Sequence, residues 1–393
     1  MMEKYEGTYF DADNHYYEPM DAFTRHVPRR MHRRGVTTAV VDGKNRHIIA
    51  GKVDRQVGNP GFNPIAKPGA LCGYYRGNPE GKTPTEYIHE SLEQMPPEYM
   101  DRDARLDRMD EQGVDFAWMF PTLGVMYEYP LQHDIEATCA VFQGFNRWVD
   151  EDWGLNYQNR IFCAPYITLV DVDWACREVE WALKQGARII CMRPAPVSTP
   201  LGRRSPTHKQ YDPFWEIVNE AGITVVAHVG NSGYTGMGYS TGGMTWSGEV
   251  QPSIVDLAAD RAISDWLMTI LYDKLFERFP NLRIASVENG AGFLYDFFRK
   301  VAYAKDRSPN FFKEDPIELF KKHVWMNPFW EDHIDEIVGW MGADRVILGS
   351  DWPHVEGVAR PRDIIDYIHG ISLAGQKKML FTNTAALNEL QPA

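Results

Sequence analysis

The feature that most limits what this chain can fold into is a rhythm. Short, near-continuous apolar runs alternate with helical stretches eight times over 393 residues. The first run ends in FDADNHYYEP at Phe10–Pro19. The others span Val114–Phe120, Ile161–Val170, Ala187–Arg193, Ile223–His228, Leu282–Val287, Val324–Asn327 and Asp344–Ser350. Strands buried on both faces lose the polar–apolar alternation of a half-exposed strand and read this way. The helices between them carry their own punctuation. One is predicted over Asp134–Trp153. Another is capped by Asp171 or Asp173, runs to Gln185 and stops at Gly186; a third opens at Asp212-Pro213 and closes at Gly222. Eight such units in one chain of this length predict a single-domain α/β fold, a (β/α)8 TIM barrel. A doubly wound open sheet is the alternative, but no glycine-rich phosphate loop follows the first strand.

An insert at about residues 36–85 interrupts the rhythm after strand one. It begins with two β-rich runs around Asp42-Gly43, a hairpin signal. It continues from about Val53 as a stretch rich in Gly and Pro, with Phe62, Tyr74 and Tyr75 interspersed. A loop of that length in a compact enzyme is read as a lid, against a surface excursion without a role. His47, on the second hairpin strand, is read as structural. Met20–Arg34, with Arg25, Arg29, Arg30, Arg33 and Arg34, is read as a solvated basic helix face rather than an anion dock. Thr85–Gly113 is read as helical, stopped by Gly113.

Composition sets the outer limits. Hydrophobic residues make up 44% and aromatic residues 13%, enough for a large core with rings left over to line a pocket. A net charge of −13 argues against a nucleic-acid partner, which a basic face would serve. The five cysteines are scattered without metal or redox spacing, which predicts reduced thiols in a cytoplasmic protein. Neither a signal peptide nor a bilayer-crossing apolar run is found, so no membrane partner is expected.

The chemistry of a TIM barrel gathers at the C-terminal ends of its strands. Strand alternation puts Asp11, Asp13 and His15 on one face, with Glu18 just beyond. Strand four ends in Arg193, strand five in His228, and strand six in Glu288 before Asn289-Gly290-Ala291-Gly292. Strand eight ends in Asp351 within GSDWPH, with His354 three residues on. Each alone has an ordinary explanation as a capped turn or a satisfied histidine. Converging on one rim, the acidic groups would repel one another unless cations neutralised them. Carboxylates with imidazoles suit Zn, Fe or Mn.

These stretches resemble the amidohydrolase-related, metal-dependent TIM-barrel family. The resemblance rests on FDADNHYYEP, RLDRMDEQGVDFAWMFPT, ITVVAHVG, FERFPNLRIASVENGAG, RVILGSDWPH and TNTAALNEL, which together span nearly the whole chain. It implies metal ligands at Asp13, His15, His228, Glu288 and Asp351. Three departures stand out. The first pair begins with Asp where many members have His or Glu. Strand six offers Glu288 where hydrolytic and decarboxylating relatives often have His. Strand four ends in Met192 and Arg193 without a lysine, so no carbamylated-lysine bridge between zinc ions is expected.

With Glu18 and His354 added, the candidate donors number seven, too many for one zinc with its water. They match the ligand stock of di-iron and di-manganese proteins, with Glu18 and Asp351 as bridges and His354 as a ligand or a neighbouring base. The stock looks most like the nonheme di-iron monooxygenase branch of the family, whose example acts on a diterpenoid coenzyme A ester in platensimycin biosynthesis. That likeness implies two iron ions, O₂, a ferredoxin with its reductase, and hydroxylation of an apolar, terpenoid-like carboxylate or CoA ester. The loop after strand five supplies Tyr234, Met237, Tyr239, Met244 and Trp246 as walls for such a small apolar substrate, and Arg193 a fork for its carboxylate or phosphate. The competing expectation is one Zn or Mn ion with Asp351 or His354 as base, giving hydrolysis or non-oxidative decarboxylation, the chemistry of most members. A binding barrel without catalysis is disfavoured because none of the ligand positions is apolar. Exposed aromatic helices permit a homodimer.

Overall fold

A computed structural model describes residues 3–234 and 260–390. Met237, Tyr239, Met244 and Trp246, expected on the pocket wall, lie outside the described residues.

The barrel staves follow the predicted order. They are β1 (Phe10–Tyr16), β2 (Phe116–Pro121), β3 (Ile161–Cys163), β4 (Ile189–Met192), β5 (Thr224–His228), β6 (Arg283–Val287) and β7 (Val324–Met326). β1, β2 and β3 form one parallel sheet, and β4, β5, β6 and β7 another. Parallel bridges join the two at both seams: Tyr166 with Cys191, Met326 with Val346, and Asn14 with Trp352. Residues 346–352 are therefore the eighth stave. They are held to β1 by Ala12 N–H to the Leu348 carbonyl (3.0 Å), His15 N–H to Trp352 (2.8 Å) and Asp351 N–H to Asp13 (2.8 Å). The fold is a closed α/β barrel, as expected.

Several boundaries differ from the sequence reading. The strand expected over Ile161–Val170 stops at Cys163, because Pro165 has no N–H to continue the ladder. Beyond it the chain turns to β4, with Cys191 N–H bonded to Pro165 O at 2.9 Å. The eighth stave begins with a tight helical turn at Ala343–Arg345. The single helix expected over Thr85–Gly113 is broken into Pro84–Glu90, an edge strand at Leu92–Glu93, a turn at Pro97–Tyr99 and the helix Arg102–Gln112. The cause is again proline: Pro96 and Pro97 remove two consecutive helix donors. Met20–Arg34 is no helix face but a set of turns with a short helical piece at Arg29–Met31. Three of its five arginines are ion-paired, Arg25 with Asp21 and Asp152, Arg30 with Glu136, and Arg34 with Asp134 and Glu136. Asp171, not Asp173, caps its helix, accepting the Trp174 N–H at 2.9 Å.

The insert after β1 opens with the hairpin Val36–Val41 and Lys44–Ile49. Asp42 (φ 53°) and Gly43 (φ 72°) make the left-handed turn that matches the twist of paired strands. His47 is buried, its Nδ1 2.5 Å from the Tyr127 hydroxyl, and so pins the hairpin to the helix Gly124–Leu131.

Candidate metal centre

Two local irregularities aim the β1 side chains. Pairing with β2 shifts register between Asp11 and Asn14. That bulge breaks the alternation which would have put Asp11 beside Asp13. Asp11 instead accepts the Ser350 N–H (2.8 Å), the Ser350 hydroxyl (2.5 Å) and the Asn14 amide (2.9 Å). Burial pushes its carboxyl up to about 6, with these donors pulling the other way. It splices β1 to the eighth stave and is not a donor to the centre. The second device is Gly349, where a Cβ would stand 2.1 Å from Asp13 Cβ. The bare backbone lets the eighth stave pass directly behind Asp13.

His228 is the last residue of β5. Glu288 and Asp351 follow their strands in the left-handed region, at φ 55° and 56°. That conformation is costly for residues other than glycine and persists where tertiary structure enforces it. Here it turns both carboxylates into the barrel mouth.

The donors meet there. His15 Nε2 lies 3.3 Å from Asp13 Oδ1, 3.2 Å from Glu288 Oε2 and 3.4 Å from Asp351 Oδ1. His228 Nε2 lies 3.5 Å from Asp13 Oδ1 and 3.2 Å from Glu288 Oε2. Asp13 Oδ1, Glu288 Oε2 and both Nε2 atoms are buried without a hydrogen-bond partner among the described residues. Four polar atoms left unsatisfied at one point are expensive unless a cation takes their lone pairs. Spacings of this size are polyhedron edges around an ion bonded at about 2.0–2.5 Å. His228 Nδ1–H donates to the Val229 carbonyl at 2.9 Å, which leaves the Nε2 lone pair facing the centre. Burial disfavours a charged His15, yet Asp13 and Glu288 outweigh it and raise its pKa to about 10, so a bound ion would have to take the place of a proton on that ring. Burial likewise opposes ionisation of Asp13, but His15 and His228 hold it below its ordinary value. The residues fit a divalent ion.

A second group overlaps the first and shares His15 and Glu288: His15, Glu288, Asp351 and His354. The protonation of its outer pair follows from donor bookkeeping. The Thr122 hydroxyl gives its one proton to the Tyr16 carbonyl at 2.8 Å. At 3.0 Å, His354 Nε2 must therefore be the donor to Thr122. His354 Nδ1 sits 2.6 Å from Asp351 Oδ1, so one proton lies between them. Burial, with Glu288 next, raises Asp351 well above its ordinary value, while burial, with His15 and His228 next, lowers His354. Both directions favour a proton resting on the Asp351 side of this contact. Thr122 escaped the sequence reading; its only signal was a hydroxyl just past the end of strand two.

Two predicted site residues stand elsewhere. Glu18 is buried, but its Oε1 accepts the Leu123 and Gly124 N–H groups at 2.9 and 3.0 Å. It caps the start of a helix and belongs to neither donor group. Arg193 is also buried, with Nε 3.0 Å from Glu128 Oε2 and Nη1 donating to the Asn231 carbonyl. Glu128 further accepts from Tyr166 and Thr168. The guanidinium is thus spent on fastening strand four to the loop after strand five, and it does not line the main cavity. That cavity, of about 790 Å³, opens above the donors between Phe62, Leu123, Val125, Met126, Phe329 and Trp330. Insert residues 57–66 supply one wall. Among the described residues no helix is long and apolar enough to cross a membrane.

Comparison with known proteins adds the following. The amidohydrolase family profile matches residues 10–387. A solved amidohydrolase, map2389c from Mycobacterium avium subsp. paratuberculosis K-10, is 37% identical with a TM-score of 0.92, covering 98% of this chain and 99% of its own. A 5-carboxyvanillate decarboxylase from Novosphingobium aromaticivorans DSM 12444, complexed with manganese and 4-hydroxy-3-methoxy-5-nitrobenzoic acid, is 16% identical with a TM-score of 0.59, covering 98% and 96%. A dihydroxybenzoic acid decarboxylase from Polaromonas sp. JS666, with bound manganese and 2-nitroresorcinol, is 17% identical with a TM-score of 0.56, covering 81% and 93%. At such identities the last two are similar in fold alone. No curated protein matches the sequence.

Proposed function

The chain belongs to the amidohydrolase family of metal-dependent enzymes, and on that premise we propose that it is a redox-neutral, single-ion decarboxylase of an apolar aromatic acid. Manganese or zinc suits the mixed donor set. Asp13, His15, His228 and Glu288 would hold the ion, which supplies a Lewis acid to polarise a substrate oxygen.

The observation that carries this reading is the 2.6 Å contact of Asp351 Oδ1 with His354 Nδ1, whose other ring nitrogen faces Thr122, an arrangement that favours a proton on Asp351. A hydrolase needs a base beside its nucleophilic water at the outset. A decarboxylase of an electron-rich ring needs an acid, because the ring carbon must be protonated before CO₂ leaves. Asp351 rests as that acid, backed by His354 and Thr122. It donates to the carbon bearing the carboxylate, the C–C bonding pair returns to the ring, and CO₂ departs. Asp351 is left as a carboxylate beside the His354 Nδ1 lone pair, a pairing that draws in a new proton from solvent and resets the acid. The apolar walls at Phe62, Leu123 and Phe329 keep water from competing for the intermediate. The fold-level likeness to manganese-bound decarboxylases raises the prior without deciding the reaction.

One observation favours a second reading. The two donor groups share Glu288, as a bridging carboxylate would in a dinuclear centre. That reading is the di-iron monooxygenase, with O₂, a ferredoxin and its reductase. Against it, Glu18 is engaged elsewhere and both His354 nitrogens have protein partners.

The test is a panel of hydroxybenzoic acids given to manganese-loaded protein in D₂O under strict anaerobiosis. We expect CO₂ and a product carrying one deuterium at the vacated carbon, with one metal ion per chain. Turnover that demands O₂, or two irons per chain, would sink the proposal.

A further inference from the structure

The displacement of Arg193 from the cavity leaves a question about charge. The cavity lining carries the carboxylates of Asp13, Glu288, Glu331, Asp351 and Glu356. An acidic substrate entering it meets repulsion nearly everywhere. Its lining contains just two Lys or Arg residues among the described ones, Lys44 and Arg46. They are two apart on the hairpin strand Lys44–Ile49, so their side chains leave the same face. The residue between them, Asn45, is exposed, whereas His47 and Ile49 on that alternate set turn into the protein. Neither Lys44 nor Arg46 forms an ion pair among the described residues, whereas Arg147 and Arg193 pair with Glu178 and Glu128. Arg46 Nη1 donates to the Val57 and Gly58 carbonyls at 3.2 and 2.6 Å, which aims the guanidinium along the wall of the insert. Its remaining N–H groups have no protein acceptor among the described residues.

We propose that Lys44 and Arg46 form an anion-binding wall, and that the substrate carries a carboxylate or phosphate oxyanion at the end remote from the group that reacts. This rests on the metal centre for the reacting end, and it names the substrate class: an elongated apolar molecule, polar at both tips. A planar fork beside a flexible ammonium accepts either oxyanion. It also gives the insert after β1 a task, since the hairpin delivers both cations to a cavity whose described lining holds no other Lys or Arg.

The test compares 1-decanol, decanoate and decyl phosphate by calorimetric titration of metal-free and manganese-loaded protein. In metal-free protein the floor of the cavity mixes carboxylates with the imidazoles of His15 and His228, so the part of any anion preference that depends on Lys44 reports the wall. We expect at least one of the two anions to bind ten times more tightly than decanol, with the better anion identifying the oxyanion. Lys44→Gln should remove about tenfold of that preference and Lys44→Glu should reverse it, decanol binding unchanged in both. Lys44 is exposed, so both variants should fold; Arg46→Lys, which keeps charge but not the fork, should favour phosphate less. Equal affinity for all three ligands, or a preference that survives Lys44→Glu, overturns the proposal. Manganese should then add a further gain for anions; its absence would count against the metal centre and leave the wall standing.

Discussion

Thr122→Val is the sharpest probe of the proton relay. Valine keeps the shape of threonine and removes both hydroxyl bonds, the 2.8 Å one to the Tyr16 carbonyl and the 3.0 Å one from His354. His354 Nε2–H then has no acceptor. The imidazole can escape by moving its proton to Nδ1, which faces Asp351 at 2.6 Å. Once Nδ1 is a donor, Asp351 must be a carboxylate, and the acid of the reaction has become a base. Thr122 is half-buried, so the orphaned groups are partly reached by water and the cost lies at about 1–2 kcal/mol. That corresponds to a fall in kcat of about 5- to 30-fold. The metal content should not move, because Thr122 touches no donor of the first group. The pH profile should shift, with the alkaline limb of kcat, set by ionisation of the required acid, displaced to lower pH. Infrared difference spectra of the metal-free protein should lose a protonated-carboxyl band. Activity within twofold of wild type with an unshifted profile would refute the relay. Loss of metal in the variant would show Thr122 to be a scaffold residue instead.

Three further outcomes follow from the structure. Gly349→Ala puts a methyl 2.1 Å from Asp13 Cβ and should destabilise the barrel by about 3 kcal/mol or more in urea unfolding; Gly339→Ala, which meets nothing within 4 Å, should be neutral or slightly stabilising. Asp13→Asn and Glu288→Gln should each lower bound metal severely on elemental analysis, whereas Glu18→Gln should leave the stoichiometry unchanged, since its Oε1 contacts are backbone N–H groups. His47 is buried and its pKa is lowered by that burial from 6.5 to about 4. The unfolded chain therefore takes up a proton first as pH falls. The stability present above pH 6.5 should drop by about 3 kcal/mol towards pH 4. In His47→Gln that component should vanish from the pH dependence of urea unfolding; an unchanged slope would show His47 to be charged or solvated in the fold.

Most barrel strands and the donor positions could be read from the chain because both obey short-range rules. A stave buried on two faces is a run of apolar residues, and a polar residue at its C-terminal end is placed on the rim by connectivity alone. Asp13, His15, His228, Glu288, Asp351 and His354 were visible for that reason. The misreadings share a different cause. The helix expected over Thr85–Gly113 ignored what Pro96 and Pro97 do to backbone donors, a local fact that was legible. Asp11 was misplaced because strand alternation was assumed to survive a bulge that only pairing with β2 reveals. Glu18 and Arg193 were given to the site because each is a reactive type near a strand end. Their real partners, the Leu123 and Gly124 backbone and Glu128, lie 65 to 106 positions away.

By itself, then, the order of residues determined the (β/α)8 architecture, the insert after the first strand and which polar residues stand at the strand ends. Each depends on periodicity and local conformation, which a linear string contains. Only the tertiary structure decided which polar groups face one another, that Asp351 meets His354 Nδ1 at 2.6 Å, and that Lys44 and Arg46 rather than Arg193 stand at the cavity wall. Those depend on barrel closure, which brings Ser350 against Asp11 across 339 positions. Burial then allots each polar atom one partner from the few within reach, and no spacing in the chain records which.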